Sequence, residues 1–337
     1  MRYRENNNLF DLSSSGRGLQ QTLLLLSYMY ANVGAILLLD EPDAHLEILR
    51  QRQIYQLLVD VACENGNQII APSHSEVLLN EAADRDVVIA FVGKPHRIND
   101  RGSQVLKALK EIGYEQYYQA EQTGWVIYLE GSTDLAIIRA FAQKLDYKEA
   151  SEALERPFVH YVGNQPGEVR KHFHGLGEAV PNLQGVAIFD RLDQELPDDL
   201  GSMGLMWQRR EIENYLCYPE TLQAYAEAKS QQETAGPLFA SGESSRRVQS
   251  MRESIEEVEG ALATLRRVSP WDNNTKVSDD FLTPLFETYF KKLGLLNVMA
   301  KKNFHELAHL VPREKIDPEV KEKLDAIVEI RRSSRSQ

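Results

Sequence analysis

The chain has 337 residues, which is long enough for two or three domains of roughly 100–200 residues each. With 42% hydrophobic and 26% charged residues it has the composition of an ordinary globular protein. No apolar run approaches the ~18 residues of a membrane span, and no signal-peptide core follows Met1. Two cysteines give no disulfide framework, which favours the cytoplasm. The net charge of -12 argues against a generally basic, nucleic-acid-binding surface.

The first hundred residues alternate between helical and strand patterns. Apolar spacing predicts helices over 19–31 and 45–64. Short continuous apolar runs indicate strands buried on both faces, at 35–39, 68–71 and 87–92. The polar stretch Lys94–Gly102 ends this unit, and a helix at about 103–112 follows. Strands that alternate with helices predict an α/β layer structure.

The second half repeats the alternation. Strands are predicted at 125–129, 158–162 and 185–189, with helices at 132–145 and 167–179 between them. The composition of 231–245 predicts a loop. Further helices are predicted at 246–267, 278–293, 301–310 and 317–331. The expected domains are therefore 1–98, a connection over 99–122, 123–225, and a helical C-terminal region over 226–337.

Several short segments of the first domain suit a nucleoside triphosphate. The Ser/Gly-rich turn 13–18 opens a helix, whose free N–H groups and dipole favour an anion. Asp40 ends an apolar strand, where a rigid carboxylate can bind Mg²⁺ through water. Glu41 follows it and can polarise the attacking water, and His74 can contact a γ-phosphate. The order of these segments along the chain predicts nucleotide binding more strongly than any one of them.

These segments resemble the C-terminal half of an ABC-type ATPase. Ser15–Gln20 resembles the signature loop, Leu37–Pro42 the Walker B motif, Asp43–Leu46 the D-loop, and His74 the switch histidine. The resemblance implies a nucleotide-binding role for seven residues: Ser15, Gly16, Gly18, Gln20, Asp40, Glu41 and His74.

The Walker A loop of that family is missing, since the sequence contains no G-x-x-x-x-G-K-[ST] segment. The resemblance implies that a signature loop acts on nucleotide held by the opposite protomer. The chain alone is therefore not expected to hydrolyse ATP. Either it is a truncated form, or it works with a partner chain that supplies the Walker A loop.

Carboxylates follow two strands of the second half. Glu130 comes directly after strand 125–129 and Asp190 directly after strand 185–189. Because parallel strands present their carboxyl ends at one edge of a sheet, both side chains should converge there. Asp134 lies one helical turn after Glu130 and Asp193 three residues after Asp190; either faces the same space or caps a helix. Such a cluster predicts a site for Mg²⁺ or Mn²⁺, which prefer oxygen ligands.

This stretch resembles a Toprim domain, with Glu130 as its glutamate and Asp190 as the first aspartate of its D-x-D pair. The second aspartate here is Asp193, one residue further on, so its role stays open and Glu195 is a substitute. Arg209–Tyr215 resembles the R-E-x-E-N-Y segment of OLD (overcoming lysogenisation defect) nucleases. That resemblance implies that Glu211 and Glu213 add a metal ligand; the alternative is the start of an amphipathic helix.

An ABC-type region followed by Toprim is the mark of the OLD family, to which Gabija-type antiphage nucleases are related. The resemblance implies an α/β fold with a partial ABC sheet, a Rossmann-like Toprim domain and a helical C-terminal region. It also implies ATP-controlled, two-metal hydrolysis of nucleic acid by a homodimer or higher oligomer, with DNA favoured over RNA or tRNA. A lysine of the C-terminal region should assist, with Lys301 as first choice and Lys302 as second.

Two other functions stay open. One is an ATP-sensing partner subunit whose Toprim site is weak or inactive, as the irregular Asp190–Asp193 spacing suggests. The other is a zinc peptidase, since His305-Glu306-Leu307-Ala308-His309 matches H-E-x-x-H. Pro312 follows almost at once, and only Glu319, Glu322 and Glu329 remain as third ligands. Two surface histidines are therefore the favoured interpretation of that segment.

Overall fold

The computed structural model describes residues 2–5, 8–44, 46–82, 85–91, 95–98, 112–233 and 237–335. His45 of the predicted D-loop and most of the predicted helix at 103–112 lie outside these residues. The chain divides into two compact units, which we call unit 1 (Met1–Tyr118) and unit 2 (Gln119–Gln337). Among the described residues, no helix is long and apolar enough to cross a membrane.

The described part of unit 1 consists of short strands and helices, and the last of these helices, α4, includes the boundary between the two units. Its elements are β1 (Arg2–Glu5), β2 (Asn8–Asp11), α1 (Arg17–Ala31), β3 (Ile36–Leu38), α2 (Ile48–Asn65), β4 (Gln68–Ile70), α3 (Glu76–Ala82), β5 (Ile89–Ala90), β6 (His96–Arg97) and α4 (Tyr114–Thr123). Strands β3 and β4 pair in parallel, whereas β1–β2 and β5–β6 are antiparallel. The predicted α/β alternation is confirmed here.

The strands of unit 1 are not buried on both faces, so that expectation was wrong. In β3, Leu37 is buried against Met29 of α1 and Leu58 of α2, whereas Ile36 and Leu38 are 66% and 77% exposed. Among the described residues the sheet has two strands, and the two helices cover one face of it. The predicted strand at 87–92 is likewise reduced to the two-residue β5, in which Ile89 is exposed and Ala90 is buried.

Unit 2 contains a sheet of four parallel strands in the order β10-β9-β7-β8. Its elements are β7 (Trp125–Leu129), α5 (Ser132–Lys144), α6 (Lys148–Glu155), β8 (Val159–Tyr161), α7 (Pro166–Ala179), β9 (Gln184–Phe189), β10 (Gly204–Met206), α8 (Pro219–Glu233), α9 (Pro237–Thr264), α10 (Thr283–Leu293) and α11 (Pro318–Arg335). The strands predicted at 125–129, 158–162 and 185–189 are confirmed as β7, β8 and β9. The short α6 and β10 escaped prediction.

Helices cover both faces of this sheet. Successive strand residues point to opposite faces, so Ile127 joins the large core shared with α5, α6 and α11, while Tyr128 contacts His172 of α7. On the α7 face, a Cβ on Gly185 would lie 2.7 Å from Phe173, which explains the glycine in a buried strand. The central strands β7 and β9 are therefore buried on both sides, as continuous apolar runs predict.

The C-terminal helices pack into the same core as the sheet. The buried cluster that contains Ile127 and Val186 also contains Phe286 of α10 and Leu324 of α11. Leu307, which lies between these two helices along the chain, belongs to it as well. The predicted loop at 231–245 was wrong over 237–245, because α9 begins at Pro237 and packs along α8. Proline is favoured at the first position of a helix, where its missing N–H is no loss.

Candidate functional site

The carboxyl ends of the four parallel strands meet at one edge of the unit 2 sheet. Glu130 follows β7, Asn164 follows β8, Asp190 follows β9, and segment 207–216 follows β10. The structure thus brings the two acids predicted from the sequence to the same edge. It also adds a neutral side chain, Asn164, that the sequence reasoning missed.

Asn164 links the ends of β7 and β9. Its Nδ2 donates to Glu130 Oε2 at 2.5 Å, and its Oδ1 accepts from the backbone N–H of Asp190 at 2.9 Å. The residue has a φ of +59°, which asparagine tolerates better than most residues. The available sequence signal was Gly163-Asn164 directly after an apolar strand, which indicates a turn but not this bridge.

Asp190 is surrounded by other acids. Its Oδ1 accepts from the backbone N–H of Ile212 at 3.2 Å. The pKa of Asp190 is raised to about 9, and burial is the largest cause. A hydrogen bond with Glu130 and the charges of Glu130, Asp134 and Glu213 contribute the rest. The carboxyl therefore holds a proton at neutral pH unless a cation takes the proton's place.

Asp134 combines the two roles that the sequence left open. Its Oδ2 accepts from the backbone N–H of Glu130 at 3.2 Å, so it caps the start of α5. It is also buried, and burial followed by the charge of Glu130 raises its pKa to about 6. The capping carboxylate thus faces the other acids at the sheet edge.

Glu213 lies on a 3₁₀ turn, Ile212–Tyr215, and Glu211 is the residue before it; both side chains are buried. Burial, then the charges of Glu211 and Asp134, raises the pKa of Glu213 to about 8. Burial also raises the pKa of Glu211, although its Oε1 and Oε2 accept from the N–H and hydroxyl of Ser278 at 2.5 and 3.0 Å. We call Glu130, Asp134, Asp190, Glu211 and Glu213 the carboxylate cluster.

The rest of the R-E-x-E-N-Y segment fixes this turn. Asn214 accepts from the N–H of Glu211 at 3.0 Å and donates to the carbonyl of Thr275 at 3.0 Å. Arg209 donates to the carbonyl of Asn214 at 3.0 Å and lies over the ring of Tyr215. The segment is thus a buried, hydrogen-bonded turn and not the start of an amphipathic helix.

Two lysines meet one aspartate beside the carboxylate cluster. Lys276 Nζ lies 2.7 Å from Asp279 Oδ2, and Lys301 Nζ lies 3.0 Å from Asp279 Oδ1. The positive charge of Lys301 lowers the otherwise raised pKa values of Glu211 and Glu213, so this lysine is near the cluster. Lys302 is exposed. The sequence reasoning missed Lys276, Ser278 and Asp279, because a polar helical region carries no motif that separates them from surface residues.

Asp193 points away from the cluster. Its side chain is 86% exposed, and its Oδ1 lies 2.8 Å from Arg210 Nη1. Glu195 is also exposed. The structure therefore places neither of the two acids considered for the second aspartate among the buried carboxylates.

The carboxylate cluster suits a hard divalent cation by its chemistry. All its donors are oxygens, as Mg²⁺ and Mn²⁺ prefer, and the mutual repulsion of its members is what a cation relieves. Its geometry is less complete: among the described residues, no group of three or more His, Cys, Asp or Glu side chains is placed to hold a metal ion. Side-chain rotation would have to bring the oxygens together.

The H-E-x-x-H segment lies in a 3₁₀ helix, Lys301–Leu310. With three residues per turn, positions i and i+4 point about 120° apart, so His305 and His309 do not share a face. Glu306 lies 3.2 Å from Lys229. This geometry favours two surface histidines over a zinc site.

The acids and the histidine of unit 1 lie at its exposed strand ends. The backbone N–H of Glu41 donates to the carbonyl of Pro72 at 3.2 Å, which links the segments after β3 and β4. Glu41 Oε1 lies 3.7 Å from His74 Nε2, and the two side chains are 51% and 95% exposed. Glu41 has a φ of +43°, a strained conformation typical of functional positions. Asp40 is exposed as well.

The signature-like turn lies at the N-terminus of α1. Gly16 is the residue before the helix, and a Cβ there would meet open space. Ser15 Oγ donates to the carbonyl of Leu12 at 2.7 Å, and Gln20 Nε2 donates to that of Ser15 at 2.9 Å. Both side chains thus form hydrogen bonds within the turn. The structure brings Glu41 and His74 together, and it leaves Ser15, Gly16 and Gln20 at this separate turn.

Comparison with known proteins agrees with the nucleotide-binding assignment of unit 1. Residues 1–80 match the model of a family described as "AAA domain, putative AbiEii toxin, Type IV TA system". Unit 1 thus contains an ATPase-type region. The match does not extend to unit 2, and no curated protein matches the chain.

Proposed function

We propose that unit 2 is the catalytic domain of an OLD-like, Toprim-type nuclease, controlled by the ATPase-type region of unit 1. It hydrolyses phosphodiester bonds of nucleic acid, DNA in preference to RNA, with Mg²⁺ or Mn²⁺ as cofactor. The observation that carries this proposal is the carboxylate cluster at the carboxyl edge of a parallel sheet. Antiphage defence in the cytoplasm is the biological role that we infer with it.

The cluster is costly to keep in a purely structural role. Burial and like charges raise the pKa values of Asp134, Asp190 and Glu213, so each ionised carboxylate destabilises the fold. Asp199 shows the opposite shift, since its hydrogen bond with Arg170 lowers the pKa of that exposed carboxyl. Perturbed carboxylates gathered at one edge are typical of functional sites, and parallel sheets bind ligands at that edge.

The residues present can do the following chemistry. A pair of divalent cations would supply an activated water and neutralise the leaving oxygen. Asn164 orients Glu130 through its side chain and fixes the end of β9 at Asp190. Ser278 holds Glu211, and Lys301 supplies a positive charge beside the cluster that offsets charge growing on the phosphate.

The test uses the full 337-residue chain with supercoiled plasmid and with tRNA, in Mg²⁺, Mn²⁺ or EDTA. We expect cleavage with metal that EDTA abolishes, and losses of at least ~10³-fold in Glu130→Gln and in Asp190→Asn, because a metal site acts as a unit. Asp199→Asn is the matched control, since Asp199 is an exposed acid that pairs with Arg170 at 2.8 Å. Equal cleavage by wild type, Glu130→Gln and Asp190→Asn contradicts the proposal.

A second candidate is an ATP-sensing partner subunit with an inactive Toprim site. Two observations favour it: Asp193 pairs with Arg210, and no three-ligand set is formed among the described residues. On this reading the wild type cuts neither substrate with either metal. Metal binding would separate the candidates further. An active site should bind Mn²⁺ in the wild type and lose that binding in Asp190→Asn, whereas an inactive site should give the same Mn²⁺ binding in both proteins.

A further inference from the structure

Lys276, Asp279 and Lys301 form an arrangement that we call the lysine bridge. Asp279 accepts from both ammonium groups, at 2.7 Å from Lys276 and 3.0 Å from Lys301. All three side chains are about half exposed, at 55%, 48% and 46% for Lys276, Asp279 and Lys301. Within the lysine bridge itself, two ammonium groups therefore face one carboxylate.

The lysine bridge is fixed to the carboxylate cluster through the backbone. Asp279 lies in a single π-helical turn, Ser278–Leu282, and such turns are frequent at functional sites. Ser278, at the start of that turn, holds Glu211 through its N–H and hydroxyl. The carbonyl of Thr275 accepts from Asn214 on the other side of Lys276. The segment 275–279 is therefore anchored on both sides of the lysine.

Both lysines lie close enough to the carboxylate cluster to affect its charges. The charges of Lys301 and Lys276 lower the otherwise raised pKa of Glu211. The pKa of Lys276 is raised by its hydrogen bond with Asp279 and, to a smaller extent, by the charges of Glu211 and Glu130.

An exposed ion pair is worth about 0–1 kcal/mol, so Asp279 orients the lysines without sequestering them. Each ammonium has three donors, of which Asp279 occupies one. The remaining donors can bind the oxygens of a backbone phosphate of the substrate. We propose that Lys276 is a second lysine that contacts a backbone phosphate of the substrate, and that Asp279 is the positioning residue for Lys276 and Lys301. This inference rests on the proposed nuclease function.

The first experiment measures equilibrium binding of a fluorescent DNA duplex to the full chain in EDTA, over a range of salt concentrations. Lys276→Gln should weaken binding roughly 10-fold and lower the slope of log K against log salt by about one, the effect of one lost phosphate contact. Lys276→Arg should restore the slope. Lys292→Gln is the matched control: Lys292 lies between Glu253 and Glu257 of α9 and should leave the slope unchanged.

The second experiment separates positioning from binding. Asp279→Asn keeps the size of the side chain and both lysines, so the salt slope should stay that of wild type. Cleavage in Mn²⁺ should fall about 10-fold in kcat with little change in KM, because the lysines lose their orientation. A change in KM alone contradicts the positioning role. Circular dichroism melts of each variant exclude loss of folding as the cause.

The outcomes distinguish this inference from the function on which it rests. If the wild type cuts nucleic acid and Lys276→Gln has the wild-type slope and rate, the inference is wrong and the nuclease proposal stands. A wild-type chain that neither binds nor cuts nucleic acid overturns both. If Lys292→Gln lowers the slope as much as Lys276→Gln, the binding is diffuse surface attraction, which also refutes a specific contact.

Discussion

The parallel sheets of the two units differ in how many of their faces are covered by helices. In unit 2, helices cover both faces, and every residue of β7 is buried. In unit 1, α1 and α2 cover one face of β3–β4, while Ile36, Leu38 and Ile70 are more than half exposed. Parallel sheets are normally covered on both faces. Among the described residues, unit 2 therefore completes its own core and unit 1 does not.

The same contrast holds for the candidate sites. The carboxylate cluster of unit 2 is mostly buried and tied together by Asn164, Ile212 and Ser278. In unit 1, Glu41 and His74 are exposed and 3.7 Å apart. Preorganised groups in a partly buried site supply more transition-state stabilisation than exposed groups, which must first be ordered. Chemistry is therefore expected at unit 2, and unit 1 is expected to need additional groups.

The largest effect should come from Glu213→Gln, which removes one charge from the cluster and keeps the side-chain size. Cleavage should fall roughly 10²–10³-fold, as for the loss of one electrostatic contact in a preorganised site. Stability should change in the other direction. At pH 9 in EDTA, where Glu213 is ionised, the variant should gain about 1 kcal/mol in free energy of unfolding, because burial and Glu211 disfavour the charge.

Glu319→Gln is the matched control for that prediction. Glu319 is as buried as Glu213, but it accepts from the N–H of Gln208 and the hydroxyl of Tyr215 and lies 3.0 Å from Lys323. Its replacement should lower the free energy of unfolding by about 1–3 kcal/mol, since partners are left unpaired. Urea titrations compare the two. A loss of stability in both variants would mean that the cluster is a structural network.

The next largest effect tests the two cores. Phe286 is fully buried in unit 2, and Phe286→Ala should lower the free energy of unfolding by about 3–5 kcal/mol. Leu38→Ala removes a side chain that is 77% exposed in unit 1, and it should change that free energy by less than about 0.5 kcal/mol. A loss above ~2 kcal/mol in Leu38→Ala would show that this face of β3 is covered in the folded protein, against the contrast drawn above.

Sequence patterns predicted the second unit better than the first for a physical reason. Strands β7 and β9 are buried on both faces, so their continuous apolar runs and their terminal acids mark both the strand and the site. In β3 and β5 similar runs predict burial that the small sheet does not provide. An apolar run shows that a strand is suited to burial on both faces. Only the structure shows whether other elements cover those faces.

Within the site, the predictable residues were those that follow strands. Glu130, Asp190, Glu211 and Glu213 were named from position and motif, and the structure gathers all four. Lys276 and Asp279 belong to a loop and a π-helical turn far along the chain, and tertiary packing alone brings them to the cluster. Asn164 was missed because its role depends on the distance between two strand ends.

A smaller effect is expected from pH. His172 is buried, accepts or donates a hydrogen bond at 2.9 Å with Tyr128, and stacks on His160, which Glu168 faces. Burial, followed by the charge of His160, lowers the pKa of His172 from 6.5 to about 3. Between those values the unfolded chain binds the proton and the folded one does not, so stability is lost as pH falls below 6.5.

The measurement is the free energy of unfolding at pH 6.5 and 4.5 in wild type and His172→Gln. Wild type should lose roughly 2 kcal/mol more than the variant over this window, because glutamine keeps a polar partner for Tyr128 and does not titrate. Acidic residues titrate equally in both proteins and cancel in the difference. Parallel losses would show that His172 is already protonated in the folded protein or that the ring is not buried.

The smallest expected effect is on ATP turnover, where Glu41→Gln should change nothing. The sequence predicts Glu41 as a water-polarising acid and His74 as a γ-phosphate contact, and residues 1–80 match an AAA-type family model. The sequence contains no G-x-x-x-x-G-K-[ST] loop, so the lysine and the N–H groups that hold the β- and γ-phosphates are missing from this chain. Without them the exposed acid has no positioned substrate.

Phosphate release by the purified chain should therefore equal the background at any protein concentration, in wild type and in Glu41→Gln alike. Turnover on the order of 1 s⁻¹, within the usual enzyme range, that Glu41→Gln abolishes would mean that two copies of this chain build a complete nucleotide site. In that case unit 1 would be as self-sufficient as unit 2.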